Sequence, residues 1–389
     1  MTLLLWLLIL PPTFLTGWFA VEILAGVPRS RGEAPGPGNT PRAVIVVPAH
    51  DEAKIIDVAL RALTSAARGV AEILLIADNC TDDTAQIARR RGVTVSERSD
   101  AERRGKGFAL AHAQALLMAA PPEVVVVLDA DCTIDGASLR ALIAATAGSR
   151  RPSQAINLLR APARPRSPLV ALSSFAFLIK NLLRQRGLQR LAGSVHLTGT
   201  GMALPWTLFA TAPLATASIV EDLKLGIDLA AAGHAPQLVP GAIVWSDPST
   251  VSGTMIQRRR WETGFIATAA KAVPALLAAA LRRGSGSLLC LAFDLCIPPL
   301  ALLIATAMAF LTCAVIATLV LGAGWAPAST LAAALLIAGT ALLIAWWREG
   351  RGFVSLGELA RIPFYMLWKL PLYLGLRRAA DGPWLRTGR

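Results

Sequence analysis

The apolar positions of this chain switch between long uninterrupted runs and short, regularly spaced clusters. Residues 3–25 form one apolar stretch of the length a transmembrane helix needs, with Pro11 and Pro12 inside it and Glu22 near its end. No Lys or Arg precedes it, which argues against a cleaved signal peptide. Residues 26–41 are rich in Gly and Pro, as a linker is. From Ala43 onward the pattern predicts strands at 43–47, 72–77, 93–96 and 123–128, with helices at 52–66, 81–91 and 106–119 between them. Further strands are expected at 153–160, near 194–204 and at 236–245, and helices at 168–190 and 221–232. This alternation argues for a parallel, three-layer α/β domain. After Gln257 the long apolar runs return. Residues 265–281 hold Lys271 and Pro274 and lead into Arg282 and Arg283, which suits an interfacial helix. Residues 288–321, interrupted by Pro298 and Pro299, and residues 331–347 are long enough to span. Residues 353–376 fit either a span or an interfacial segment. No internal repeat is evident. The expected organisation is therefore a membrane helix over 1–25, a linker over 26–41, an α/β domain over 42–264, and an interfacial and transmembrane region over 265–389.

Composition supports that division. The 389 residues are 54% hydrophobic and only 16% charged, too apolar for an ordinary soluble enzyme. Arg29 and Arg31 after the first run, and Arg348 and Arg351 after the last clear one, place the α/β domain on the cytoplasmic side of the cell (inner) membrane by the positive-inside rule. The net charge of +13 suits a basic face meeting anionic lipid, and no nucleic-acid-binding motif accompanies it. Five scattered Cys read as reduced thiols, and four scattered His do not form a zinc-ligand spacing.

The chemistry gathers where predicted strands end. Residues 124–128 are four Val and a Leu, a buried strand, followed by Asp129-Ala130-Asp131. The carboxyl edge of an open α/β sheet is where ligands bind, and Asp-x-Asp there offers hard oxygen ligands to Mg²⁺ or Mn²⁺. The same two Asp could also simply end the strand or cap a helix. The first strand runs into Pro48-Ala49-His50-Asp51-Glu52, a nucleotide cradle or a capped helix start. The second reaches Asp78, placed to accept hydrogen bonds from a base or ribose, while Thr81, Asp82 and Asp83 suit capping of the next helix. Arg103-Arg104-Gly105-Lys106-Gly107 suits a diphosphate contact or a solvated basic loop. Glu221 and Asp222 open a predicted helix. Arg258, Arg259 and Arg260 could bind lipid headgroups, and Trp261 suits a membrane interface. Cys80 and Cys132 beside the motifs read as bystanders, and His112 and His196 as structural.

Taken in order, VPAHDEA, ADNCTDDT, RGKG, DAD, Val220-Glu221-Asp222 and Gln257-x-x-Arg260-Trp261 resemble the family 2 glycosyltransferases over roughly residues 43–265. The last motif resembles the membrane-bound Q-x-x-R-W branch that includes cellulose and hyaluronan synthases and ceramide glucosyltransferase. The resemblance implies a GT-A, Rossmann-like domain flanked by transmembrane and interfacial helices. It implies that Pro48, His50, Glu52, Asp78, Lys106, Asp129 and Ala130 bind the nucleotide sugar, and that Asp131, with Asp129, holds Mg²⁺ or Mn²⁺. Asp222 is then the general base. Gly199, Thr200, Gly201 and Glu221 lie on the acceptor side. Gln257, Arg260 and Trp261 close over the diphosphate and acceptor. Asp51 departs from the Asn common at its position, a change expected to be tolerated.

The chemistry agrees with that reading. Sugar transfer needs a stabilised diphosphate leaving group and a carboxylate to take the acceptor's proton. One base opposite the leaving group gives inversion. The expected partners are a nucleotide-sugar donor, expected to be a UDP-sugar, a lipid or growing-glycan acceptor, and membrane lipids. The small number of membrane helices argues against one copy building a wide channel, so lipid and polymer acceptors stand level. The alternative is a catalytically inactive membrane scaffold, which would be free to lose Asp129, Asp131, Asp222, Gln257, Arg260 and Trp261.

Overall fold

A computed structural model describes residues 2–29, 41–161, 167–216, 218, 220–247, 251–362, 364–366 and 369, with backbone alone for 251–256. The chain divides into two units. One is the α/β unit, residues 30–160 and 193–247; the other is helical, residues 1–29, 161–192 and 248–389. Residues 30–40 of the expected linker, and 363, 367, 368 and 370–376 of the ambiguous 353–376 stretch, lie outside the described residues.

Eight strands among the described residues build one sheet: β1 (Ala43–Ala49), β2 (Glu72–Asp78), β3 (Thr94–Arg98), β4 (Val124–Val127), β5 (Cys132–Ile134), β6 (Ser153–Leu159), β7 (Met202–Pro205) and β8 (Gln237–Ser246). Their order is β3-β2-β1-β4-β7-β6-β8-β5. The expectation of a parallel sheet holds for β3, β2, β1 and β4 and fails beyond them. β7 runs antiparallel to both β4 and β6, β6 is parallel to β8, and β5 is antiparallel to β8. The sheet is mixed because the chain enters β7 from the carboxyl edge of β4, where Gly201 donates its N–H to Val127 O at 2.9 Å.

Strand alternation distributes side chains to two cores. Ile45, Val47, Val124 and Val126 pack with Leu60, Leu63, Leu139 and Leu142 on one face. Val44, Val46, Val125 and Val127 pack with Leu110, Ala113, Phe209 and Leu225 on the other. Both faces are covered, so the central strands read as unbroken Val and Ile runs.

Three helices start later than their apolar periodicity suggests, or not at all in the sequence reading. The first begins at Ile56 rather than Glu52. The Glu52 and Ala53 N–H groups are instead taken by Thr84 Oγ1 at 2.8 Å and Asp82 Oδ2 at 3.0 Å. The second spans Thr84–Arg90 rather than 81–91, with Asp82 accepting from Thr84 N at 3.0 Å. Gly136–Ser149 went unpredicted; Asp135 caps it by accepting from Ser138 N at 2.9 Å. Of the strand expected near 194–204, only Met202–Pro205 is extended, because the preceding loop turns through Gly199 and Gly201 at φ 81° and 63°.

In the helical unit, Thr2–Gly26 matches the expected first helix. The helix expected over 168–190 is Pro168–Leu178, a π-helical turn at Ile179–Arg184, then Gln185–Ala192. There the first helix approaches at backbone distance: a side chain on Gly26 would strike Leu183 O, and one on Gly187 would strike Glu22 O. Arg184, beside this crossing, donates to Glu22 Oε2 at 2.8 Å and to Asp294 Oδ1 at 2.5 Å. The segment read as a short interfacial helix belongs to a continuous one, Val251–Arg283. Pro298 and Pro299 separate Gly286–Cys296 from Leu300–Leu321, and Ala326–Ala345 follows. Four helices among the described residues are long and apolar enough to cross a membrane: Thr2–Gly26, Gln257–Arg283, Leu300–Leu321 and Ala326–Gly350.

Candidate active site

Within the α/β unit, the expected residues meet at the carboxyl edge of β1, β2 and β4. Pro48 lies beside Ile76 of β2 one residue before β1 closes at Ala49. His50 follows it, and its Nδ1 donates to the Asp78 carbonyl at 2.7 Å, which fixes the ring by its protonated nitrogen. Asp51 adopts φ 53°, a left-handed conformation that short polar side chains tolerate best. Its carboxylate accepts from Thr81 N at 2.6 Å. The departure from Asn is therefore accommodated: Asp serves both the backbone conformation and the acceptor role.

Asp78 is buried and paired. Its Oδ1 accepts from Arg98 Nη1 at 2.6 Å and from Asn79 Nδ2 at 3.1 Å. Arg98 also donates to Asp100 Oδ2 at 3.1 Å, and its guanidinium lies 5.7 Å from the Phe108 ring centre. Asp100 in turn accepts from the N–H groups of Glu102 and Arg103, at 3.1 and 2.9 Å. The Arg103 bond, with that of Glu102, holds its carboxyl below the usual range. The pair thus ties the edge at Asp78 to the loop that leads into Lys106. Arg98 was missed from sequence because the expected strand stopped at Ser96.

Lys106 opens the helix Lys106–Leu117. Its ammonium donates to Asp129 Oδ1 and, at 2.7 Å, to Gly199 O. Burial alone would lower its pKa; Asp129, Glu221 and Asp222 outweigh that and hold it above the ordinary lysine value. Asp129 N donates to Thr200 Oγ1 at 3.1 Å. Ala130 is buried between the two Asp. At Gly199 a side chain would lie 3.0 Å from Asp222 Oδ2 and 3.4 Å from Lys106 Nζ, so these two groups flank the same glycine. The loop 199–201 thereby collects the strand-end carboxylate, the lysine and the helix-start carboxylate.

Oxygen ligands of Asp129 and Asp131 and the Cys132 sulfur lie within 4.8 Å of one another. The two carboxylates suit Mg²⁺ or Mn²⁺. Cys132 does not join them readily. Burial raises its pKa well above the ordinary thiol value, and Sγ is 3.1 Å from Ser246 Oγ. The second acidic group, Asp51, Cys80 and Asp82, spends its carboxylates on the N–H groups of Thr81, Ala53 and Thr84. It ties the turn that follows β1 to the turn that follows β2. Burial lifts Cys80 to about 11, so neither thiol beside the motifs is a thiolate at neutral pH.

Glu221 and Asp222 are the first residues of Glu221–Ala231. Loss of water contact, together with the Asp222 charge, pushes Glu221 up to about 8 despite Lys106. Glu221 therefore holds its proton more tightly than an ordinary carboxyl. Gln257, Arg260 and Trp261 belong to the helical unit, on Val251–Arg283. There Arg258, read from sequence as a lipid contact, is buried instead. It donates to Ser173 Oγ at 2.9 Å and Ser173 O at 2.8 Å, with its guanidinium 5.3 and 5.4 Å from the Phe177 and Trp261 rings. It braces Trp261 from within the protein.

Residues 41–264 match the family described as "Glycosyltransferase like family 2", more than half of the chain, and the chain belongs to that family. No curated protein matches it. Among solved structures it is similar to the mannosyltransferase PcManGT from Pyrobaculum calidifontis, solved with GDP-Man and Mn²⁺. They share 22% identity and a TM-score of 0.56, over 95% of this chain and 98% of that one. Glucosyl-3-phosphoglycerate synthase from Mycobacterium tuberculosis, solved with Mn²⁺, UDP and phosphoglyceric acid, shares 19% identity. Its TM-score is 0.41, over 59% of this chain and 78% of that one. The α/β unit has the GT-A, Rossmann-like fold of glycosyltransferases.

Proposed function

We propose that the protein is a membrane-embedded, inverting glycosyltransferase of the Q-x-x-R-W branch that moves a sugar from a nucleotide-sugar donor to a lipid or growing glycan. The observation that carries this is the cluster around Gly199. It brings Lys106, Asp129 and Asp222 together at the sheet edge where the family's donors bind. The nucleoside takes the Pro48, His50, Glu52 and Asp78 side, and Ala130 lies against the sugar. Asp129 and Asp131 would hold Mg²⁺ or Mn²⁺, which would supply positive charge for the leaving diphosphate. Lys106 adds a second positive charge there. Asp222 takes the acceptor hydroxyl's proton. The freed oxygen attacks the anomeric carbon, and the bond to the diphosphate breaks with its electron pair. With Asp222 as the single base opposite the leaving group, the transfer proceeds with inversion. Gln257, Arg260 and Trp261 take the diphosphate and acceptor roles that the resemblance implies. The four long apolar helices support a multi-pass seat in the cell membrane, with the α/β unit on the cytoplasmic side.

The test is a donor panel of UDP- and GDP-sugars offered to nanodisc-embedded protein with extracted lipids, with and without Mn²⁺, beside Asp131→Ala. Metal-dependent release of the nucleoside diphosphate, lost in the variant, is expected. Label in the lipid fraction makes the product a glycolipid, and a large insoluble product makes it a polymer. Absence of both donor turnover and nucleotide binding favours the inactive scaffold.

A further inference from the structure

We propose that Gln154, which belongs to none of the motifs, is a positioning residue for Asp129, Lys106 and Asp222. It acts through the loop 198–201, and the proposal rests on the glycosyltransferase reading of those three residues. Gln154 sits at the start of β6, paired with Met202, and is 1% exposed. Its amide Nε2 donates to Ala155 O at 2.8 Å and to Thr200 O at 2.9 Å, with Gly201 O at 3.3 Å. Its Oε1 accepts from Thr198 N at 2.9 Å. One side chain thus spans the loop from its entry to its exit.

Two residues of that loop, Gly199 and Thr200, reach the proposed machinery. Thr200 Oγ1 accepts from the Asp129 N–H, Gly199 O accepts from the Lys106 ammonium, and Gly199 leaves the space that Asp222 Oδ2 borders. Two left-handed glycines, at φ 81° and 63°, give the loop its path but do not hold it there. A flexible loop of this kind needs an external template. Gln154 supplies one, because both ends of its amide are engaged and the side chain is buried. The Asp78 and His50 side of the site is bonded to other partners, so loop disorder would reach the metal, lysine and base before it reached the nucleoside.

The experiment measures UDP and GDP affinity by calorimetry with and without Mn²⁺, plus donor turnover, for the full-length protein in nanodiscs. The variants are Gln154→Met and Gln154→Glu. In the second, a carboxylate oxygen faces the Thr200 and Gly201 carbonyls. Thr200→Val keeps Gln154 and removes the hydroxyl that accepts from the Asp129 N–H and also bonds the Cys132 thiol. The proposal expects metal-free nucleotide affinity as in wild type, and about a tenfold loss of the Mn²⁺-dependent gain, as for other groups that orient metal ligands. It expects kcat to fall about a hundredfold with donor KM much less changed. Thr200→Val shows the same split even where the Gln154 variants fold poorly. Wild-type behaviour in Gln154→Met and Thr200→Val overturns the proposal, as does an equal fall of metal-free and metal-dependent affinity. Wild-type protein with neither Mn²⁺-dependent affinity nor turnover overturns the glycosyltransferase reading, and this proposal with it.

Discussion

At the scale of single residues, Glu221 makes a pH-dependent claim. It is pushed from an ordinary value of 4.5 up to about 8 by loss of water contact and by Asp222. The folded state therefore binds this proton more tightly than the unfolded chain. Its contribution to stability is complete below the unfolded value and is lost as pH rises toward about 8. The same titration places a second negative charge beside Asp222. The rate profile of kcat/KM, which reports the free enzyme, is expected to fall on an alkaline limb near 8 that Glu221→Gln removes. An unchanged limb in the variant contradicts this assignment. Arg98 makes a second claim. Removing it leaves the buried Asp78 carboxylate without its strongest partner, a loss of about 2 kcal/mol or more. Arg98→Met is expected to weaken metal-free UDP or GDP binding, with Arg98→Lys in between; equal affinities in all three proteins contradict it. Asp78, Lys106, Asp129 and Asp222 were legible in sequence because each lies at the end of an apolar run or the start of a helical one. Arg98, Gln154 and Arg258 were not. Each acts through partners distant in the chain, Asp78, Thr198 to Gly201, and Ser173, and periodicity carries no information about such pairs.

At the scale of elements, the helix starts carry the same lesson. The apolar pattern of 52–66 was read correctly as a helix, but its N-terminus moved to Ile56 because Thr84 and Asp82 captured the Glu52 and Ala53 N–H groups. The parallel strands β1, β2 and β4 were legible from their apolar runs; β7 was legible only as part of a longer piece near 194–204, and its reversed direction was not. The helix 168–192 carries the clearest stability prediction. Gly187 lets the first helix pass at backbone contact with Glu22 O. Gly187→Val must push the helices apart, at a cost of about 1–3 kcal/mol for an overpacked contact. A lower thermal unfolding midpoint in detergent checks this, and an unchanged midpoint contradicts the close crossing. Exposed Gly148, which has open space around it, provides the control.

At the scale of the whole molecule, a basic chain with four long apolar helices and a GT-A unit is proposed to work at a lipid surface. The protein is expected to stay with the membrane fraction through alkaline carbonate, which strips proteins held by charge alone. Release into the supernatant contradicts a spanning seat. The central claim is narrower: Asp222 is the base of an inverting transfer organised around Gly199. The most direct test compares wild type with Asp222→Asn in nanodiscs, measuring Mn²⁺-dependent donor binding and donor turnover on the same preparation. The account predicts donor binding close to wild type and turnover lower by about two to four orders of magnitude, the range for a lost general base. Turnover that survives in Asp222→Asn while the donor still binds contradicts it.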